Sequence, residues 1–590
     1  LHLNEADFIL TFGYRVTFFP FYIRTMGNRS EAPFGRRLKR IHLSDCLIHL
    51  FFLVGLIACN PSKPGRDARV AFRYNQHNPI TSLDPAFARS QNNLWAVDAL
   101  FNGLVQMNDQ LKVEPCLASR WTVSPDGLTY TFWLRNDVFF HDDPVFKSGS
   151  GRRLVADDVV YSFNRLLDDA WPKPGSWIFK GRVDTIQPFR ALADSVFVLK
   201  LREPFQPMLQ ILTMQYASIV APEAAEHYGA DFRRHPVGTG PFQFKVWEEN
   251  QALVLTKNAR YFEFDTSGNR LPYLDAVKTT FITDRKTAFL EFKKGNLDYF
   301  YGLESSYVSE LLTPAGDLKP DLRRTIQFIK NPYLNTEYLG IRADPTSPLR
   351  DKLVRQALNL AINRKLMLQT LRNNVGKPAN GGFIPVGLTA CAEGLGYEYN
   401  PEKAALLLKK AGYVGAGGMP KITLQCNQEY LDLCTYIVRQ WQNLGLNAGI
   451  EVVETATLRE RMRRGESPLF RASWIADYPD AESFLTCFYS KQLAPPNYTR
   501  FSSRLFDTLY ERALGETDDL AREKLYQEMD KILIEEAPVV FLFYDETAQF
   551  FSNKISGISA NRFNLLRLKT LKKQPDLGHN RGNSSKLFSW

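Results

Sequence analysis

Between Val70 and Tyr544 two hydrophobic periods take turns along the chain, one of two residues and one of about 3.6, and no longer unit repeats. Tyr130, Phe132 and Leu134 alternate with Thr131 and Trp133 after the turn Pro125-Asp126-Gly127, and Phe242, Phe244 and Val246 do the same. The segment "AFRYNQHNPITSLDPAFA" reads as a strand that breaks at Leu83-Asp84-Pro85, and "VVFLFY" as an apolar strand behind Pro538. Helical spacing instead joins Leu94, Val97, Asp98, Phe101 and Leu104, then Val155, Val159, Phe163 and Leu166. Ser347-Pro348 and Asn400-Pro401 each supply an N-cap with a proline at the first helical position, and Gly412 stops the second of these helices. The amphipathic stretch "AREKLYQEMDKILIEEA" predicts a last long helix. Such alternation without a short repeat predicts mixed α/β domains and excludes a solenoid.

Ahead of this body, Leu47 to Ala58 is apolar except for His49, follows the basic patch Arg36, Arg37, Lys39, Arg40, and ends on Cys59 before the polar "NPSKPG". A dozen residues at about 1.5 Å each fall short of a hydrocarbon core of about 30 Å, so a spanning helix is not expected. Basic patch, short apolar run and small residue describe an export signal. Leu56-Ile57-Ala58-Cys59 also resembles a bacterial lipobox, which makes Cys59 the expected lipidation site. Residues 1–58 are read as a miscalled leader plus signal, with Met26 the expected true start, and 59–65 as a lipidated linker.

The net charge of +10 suggests a nucleic-acid partner until it is located: +3 lies in residues 1–58 and +6 from Arg562 onward, which leaves the body close to +1. No nucleic-acid groove is implied. Residues 571–590 are polar and basic and are expected to fray. Of the seven cysteines, Cys116, Cys391, Cys426, Cys434 and Cys487 lie in the body without a CxxC pair, and export permits a disulfide without specifying one. His77, His141, His227 and His235 are the only body histidines and lack HExxH or Cys/His spacing. There is no GxSxG elbow and no P-loop; the glycines of "PVGTGPFQF" precede a strand where phosphate binding wants a helix. Asp157 and Asp158 stand in the first turn of a helix, where the macrodipole favours them, and need no metal to explain them. No catalytic residue, metal or cofactor is expected.

Eight blocks then stand in order: "LDPA" at Leu83, "PCLASRWTVSPDGLTYTFWLR" at Pro115, "ADDVVYSFNRL" at Ala156, "PVGTGPFQF" at Pro236, "FLEFKKGNLD" at Phe289, "VRQALNLAINRK" at Val354, "YNPEKAALLLKKAGY" at Tyr399 and "WIADYPD" at Trp474. Together they resemble the extracytoplasmic solute-binding proteins of family 5, the oligopeptide- and dipeptide-binding type of ABC importers, from about Val70 to Ile558. Two departures stand out: "HDDPVF" where the family commonly has glycine after the aspartate, and Arg342 in "YLGIR" where it has asparagine.

The resemblance implies a two-lobed fold of the periplasmic-binding-protein type (type II, cluster C) that closes by hinge bending. Lobe I is expected at 66–97, 211–331 and 538–570, an inserted domain at 98–210 and lobe II at 332–537, with crossings near "NPYLNTEYLG" and "APVVFLFY". It implies a monomeric, lipid-anchored receptor on the periplasmic or cell-surface side of a bacterial membrane, which hands short peptides to a permease and its ATPases. Another solute, such as a nickel chelate or an oligosaccharide, and a secreted hydrolase are the alternatives.

Asp477 matches the family's anchor for the peptide ammonium. The physics fits, because a cation enclosed in a cleft needs a carboxylate partner; a turn-capping role before Tyr478-Pro479 is the competing explanation. Arg471 matches an arginine that meets a peptide carboxylate, with its planar fork suited to the task. Alternatively it offsets Asp477, and Arg463 or Arg464 takes the carboxylate. The strand "NTEYLGI", from Asn335, is expected to add an extended peptide along its edge, with Tyr338 and Trp474 as pocket walls or core.

Overall fold

The computed structural model describes residues 70–168, 173–304, 307–413 and 418–575. The leader, the linker and Cys59 lie outside the described residues, as do residues 576–590. Among the described residues no helix is long and apolar enough to cross a membrane.

An 11-stranded sheet carries the architecture. From one edge its strands are Ala448–Val452, Ile422–Cys426, Leu469–Ile475, Ile326–Ile341, Val539–Ser552, Tyr299–Tyr301, Ala71–Asn75, Ala276–Thr280, Ala252–Lys257 and Phe242–Glu248, with Lys377–Pro378 also paired to Val539–Ser552. Two buried apolar clusters form on it. One gathers Phe72 to Phe281 with Phe551 and Leu571, the other Leu334 to Tyr544, and a smaller cluster holds Phe289, Ile326 and Phe550. The strands Ile326–Ile341 and Val539–Ser552, antiparallel and 16 and 14 residues long, run from the small cluster into the second large one. Their register slips twice, and at the larger slip Pro332 faces Glu546 while Thr336 already faces Tyr544. Four steps on one strand match two on the other, so the ladder bends there. Both slips lie within "NPYLNTEYLG".

A separate four-stranded antiparallel sheet, Ala118–Val123, Thr129–Leu134, Val196–Lys200 and Phe189–Ala193, takes the helix Ala156–Leu167 on one face. Phe163 on that helix meets Phe179, Phe189 and Phe197 with ring centroids 4.7, 5.4 and 5.5 Å away, tilted and edge-on geometries that aromatic quadrupoles favour. The helix start is electrostatic: the Asp158 carboxylate accepts from the Val155 amide at 2.8 Å and from Arg152 at 2.6 Å. Among the described residues no group of three or more His, Cys, Asp or Glu side chains is arranged to hold a metal ion, and the five body cysteines are free thiols.

Gly238 and Gly240 lie against the end of the helix Gln91–Leu100: a Cβ on either would stand 2.3 Å from the Leu100 oxygen or 2.4 Å from its carbonyl carbon. The backbones meet directly, with the Gly240 amide donating to the Leu100 carbonyl at 3.0 Å. This contact also shortens the expected helix, which ends at Leu100 before the spacing that runs to Leu104 is complete. Two further expectations are corrected. Ser347-Pro348 opens only a 3-10 turn, Pro348–Arg350, and the α-helix Lys352–Leu360 is capped by Asp351, which accepts from the Leu353 amide at 2.8 Å. The tail is bound beyond Leu571: Lys572–Lys573 pairs with Ile555–Ser556, and Lys573 bonds Asp298 at 2.9 Å because that buried carboxylate requires a cation.

Candidate functional site

The strand Leu469–Ile475 is wedged beside Ile326–Ile341 over seven residue pairs, from Leu469 opposite Ile341 to Ile475 opposite Asn335. Alternate side chains reach the same face, and this brings Arg471 to Glu337. The two form a buried ion pair, 9% and 4% exposed at the side chain, and the guanidinium carbon also lies 3.1 Å from the centre of the Tyr430 ring. Burial raises the Glu337 pKa and Arg471 opposes it; burial also works against the Arg471 charge, which Glu337 and Tyr430 outweigh. Asn335 completes the group by donating to Glu337 at 3.1 Å. Arg471 therefore meets a carboxylate of its own chain and does not pair with Asp477. Arg463 and Arg464, the alternatives for a ligand carboxylate, both bond Glu460.

Two residues past the strand end, Asp477 has the opposite character. Among the described residues no donor or cation bonds its carboxylate; only its amide is held, by the Ser483 hydroxyl at 3.0 Å. The turn bond ahead of the helix Glu482–Leu485 is made by Asp480, which accepts from the Glu482 amide at 2.9 Å. Water reaches Asp477, which is exposed by surface area, yet surrounding protein pushes its pKa up to about 7, with Glu482 adding to the shift and Arg182 opposing it. The group is thus both wetted and crowded. Next to it, Tyr478 stacks on Trp177 with centroids 6.4 Å apart, and Arg182 is occupied by the Trp177 carbonyl at 2.5 Å. Glu482 beneath is fully buried and bonded by the hydroxyls of Tyr478 and Tyr510.

Three other expected site residues are engaged by the protein itself. Tyr338 is core, 3% exposed and edge-on to Phe383 at 5.0 Å, because its strand position faces the second apolar cluster. Trp474 is half-buried and donates its indole N–H to the Ser483 carbonyl at 2.6 Å, so it braces the loop that carries Asp477. Asn335 is buried beside Glu337 and presents no open surface. Nor is the strand from Asn335 available for an added peptide, since it is paired on both sides, with Leu469–Ile475 and with Val539–Ser552. The unpaired edge belongs to its neighbour: Leu469–Ile475 meets Ile422–Cys426 only at Phe470 opposite Gln425, and beyond that point its outer edge has no strand among the described residues. That edge leads directly to Asp477.

Close by opens a cavity of about 1550 Å³, larger than the roughly 300–1000 Å³ of drug-sized sites. Its walls come from both large apolar clusters' segments, with Arg89, Asn93 and Tyr161 on one side and Arg459 and Tyr498 on the other. Pro174, in the same 3-10 turn as Trp177, lines it and ties it to the surroundings of Asp477. Of these residues only Tyr161 stands in one of the sequence blocks; convergence in the fold marks the others.

The family model of bacterial extracellular solute-binding proteins, family 5 Middle, matches residues 112–495. The glutathione-binding protein GsiB of Salmonella choleraesuis (strain SC-B67) is 24% identical over 86% of this chain and 94% of its own length. Heme-binding protein A of Haemophilus influenzae is 28% identical over 79% of this chain and 85% of its own. Among solved structures, the ABC transporter-associated periplasmic binding protein DppA from Helicobacter pylori, in complex with peptide STSA, superposes with a TM-score of 0.72 at 26% identity, over 86% of this chain and 99% of that one.

Proposed function

Because the chain belongs to the bacterial extracellular solute-binding proteins of family 5 and has their two-lobed α/β fold, we propose that it captures short peptides for an ABC importer and holds them by the terminal ammonium at Asp477. The observation that carries this reading is the unpartnered Asp477 carboxylate, exposed to water yet crowded by protein. A carboxylate in such a place is costly to ionise alone and is stabilised by a cation that arrives with the ligand. Next to it, the open edge of Leu469–Ile475 supplies backbone donors and acceptors to an extended chain, which every peptide offers whatever its side chains. Side chains are then left to a roomy, wet cavity, where water adapts to each guest.

Arg471 enters this reading as a positioning residue. Its pairing with Glu337 and its stack on Tyr430 fix the strand that ends at Asp477, and the carboxylate role expected of it is not carried forward. The protein releases its guest intact to a permease, acts as a monomer, and is tethered through Cys59 to a bacterial membrane on the periplasmic or surface side. The test is to titrate peptides of one sequence with free and with acetylated N-termini. Strong preference for the free amine supports the anchor; equal affinities overturn it, and cleavage products accumulating with time overturn the receptor reading itself.

A further inference from the structure

Among the described residues between the strands Ile326–Ile341 and Val539–Ser552, Tyr478 alone is a buried member of the first apolar cluster. Its neighbours Ala476 and Ala481 belong to the second. The Tyr478 ring is 3% exposed and stacks on Trp177 with 27° between the planes, while its hydroxyl donates back to Glu482 on its own side. Trp177 is fixed by the body it comes from: Ile178 and Phe179, which follow it, are fully buried, and Phe179 meets Phe163 of the helix on the four-stranded sheet. A second bond crosses between the same two bodies, from the Gln206 amide to the Leu514 carbonyl at 3.2 Å, and Leu514 packs against both large clusters. Both of its ends connect to the stack. Phe205 lies under the Arg182 guanidinium at 4.9 Å, and Tyr510, one helical turn before Leu514, bonds Glu482.

Two rings shut off from water keep that advantage only while the bodies that carry them stay together, because separation returns both to solvent. The bodies are joined through two long strands whose ladder bends at the register slip, and such a bend lets them turn about it. We propose that Tyr478 and Trp177, with the Gln206–Leu514 bond, form a latch that holds the second apolar body against the one carrying the four-stranded sheet, and that the latch sets how long a guest stays at Asp477. The latch itself is independent of what the guest is; its control of residence time rests on the reading of Asp477 as the ammonium anchor. Charge acts in the same direction as the rings. Arg182, on the sheet body, is near enough to Asp477 and Glu482 to oppose the rise in their pKa values, so a cation on one body faces two carboxyl groups on the other.

Small-angle X-ray scattering of the full-length protein, with no ligand added, reads the latch directly. Trp177→Leu and Tyr478→Leu are each expected to raise the radius of gyration above that of the wild type. The double variant is expected to go no further than the larger single change, because both remove one contact. Tyr478→Phe keeps the ring and drops only the hydroxyl, and is expected to scatter like the wild type. Should circular dichroism show Tyr478→Leu unfolded, Trp177→Leu, at a half-buried residue, carries the same test from the other side. The second readout loads each protein with a pool of tripeptides with free N-termini and follows by mass spectrometry what is retained through timed washing. Loss of a stacked aromatic pair is worth about tenfold, so the leucine variants are expected to lose the pool about tenfold faster, with association within about twofold of the wild type. Unchanged scattering in the leucine variants, or an expansion of Tyr478→Phe as large as theirs, overturns the latch; expansion without faster loss of peptides overturns its control of residence time. A preference for free over acetylated N-termini that persists in either case leaves the Asp477 reading standing. If the variants expand but the wild type retains none of the pool, the latch stands and the Asp477 reading falls.

Discussion

Glu337 and Asp477 lie at the two ends of one short path along neighbouring strands, and they solve the problem of a crowded carboxylate in opposite ways. Glu337 is enclosed and bonded by both Arg471 and Asn335. Asp477 stands just past the end of the paired strand, wetted and without a cation of its own. A charge answered within the chain holds the scaffold together; a charge left unanswered where water reaches it is open to a partner from outside. On the proposed reading of Asp477, the contrast separates residues that shape the site from one that meets the guest.

The sharpest way to break this contrast is Glu337→Gln. It leaves a buried guanidinium without a counter-charge, so a loss of about 3–5 kcal/mol in unfolding free energy is expected from urea titration. The double change Glu337→Gln/Arg471→Met should recover most of it, and failure to recover would mean that the pair is not the source of the loss. Asp477→Asn is expected to behave in the reverse manner: the urea midpoint hardly moves, while calorimetry shows free-amine peptides weakened by about 2–5 kcal/mol. A midpoint lowered as far as that of Glu337→Gln would erase the distinction. Gly240→Ala tests the scaffold away from charge. Its Cβ would meet Leu100 at 2.4 Å, and about 1–3 kcal/mol of destabilisation with unchanged peptide preference is expected from the same two measurements.

The smallest effect is in pH. The Asp477 pKa in the folded chain is raised to about 7 from an ordinary 3.8. Its neutral form is thus the one that folding favours: the stability this group contributes is fully present below about pH 4 and lost as pH rises through 7. Asp477→Asn should accordingly gain thermal stability relative to wild type between pH 5 and pH 8, modestly because water reaches the group. Affinity for free-amine peptides should move the other way in the wild type, falling several-fold as the carboxyl protonates below pH 7, and this dependence should vanish in the variant.

Local chemistry made much of this legible beforehand. Asn400-Pro401 and Gly412 delimit a helix by capping and by a positive φ of 88° that glycine tolerates, and both act within a few residues of where they stand. Asp477 was legible through the block "WIADYPD". Glu337 was not marked as its counterpart, because its partner is 134 residues away; a charge inside an otherwise apolar strand was the available signal. The same limit explains Asn335 and Tyr338: nothing in "NTEYLGI" says that both edges of that strand are occupied. Arg89 and Arg459 are ordinary exposed arginines until the fold sets them across one cavity.

The stack of Tyr478 on Trp177 gives the molecule an optical reporter of its own. Indole emission follows local polarity, and this indole packs on the residue immediately after the one assigned to the ligand's amine. Occupancy can therefore be followed as a shift in fluorescence, without a dye, and the rate of filling can be timed in the same cuvette.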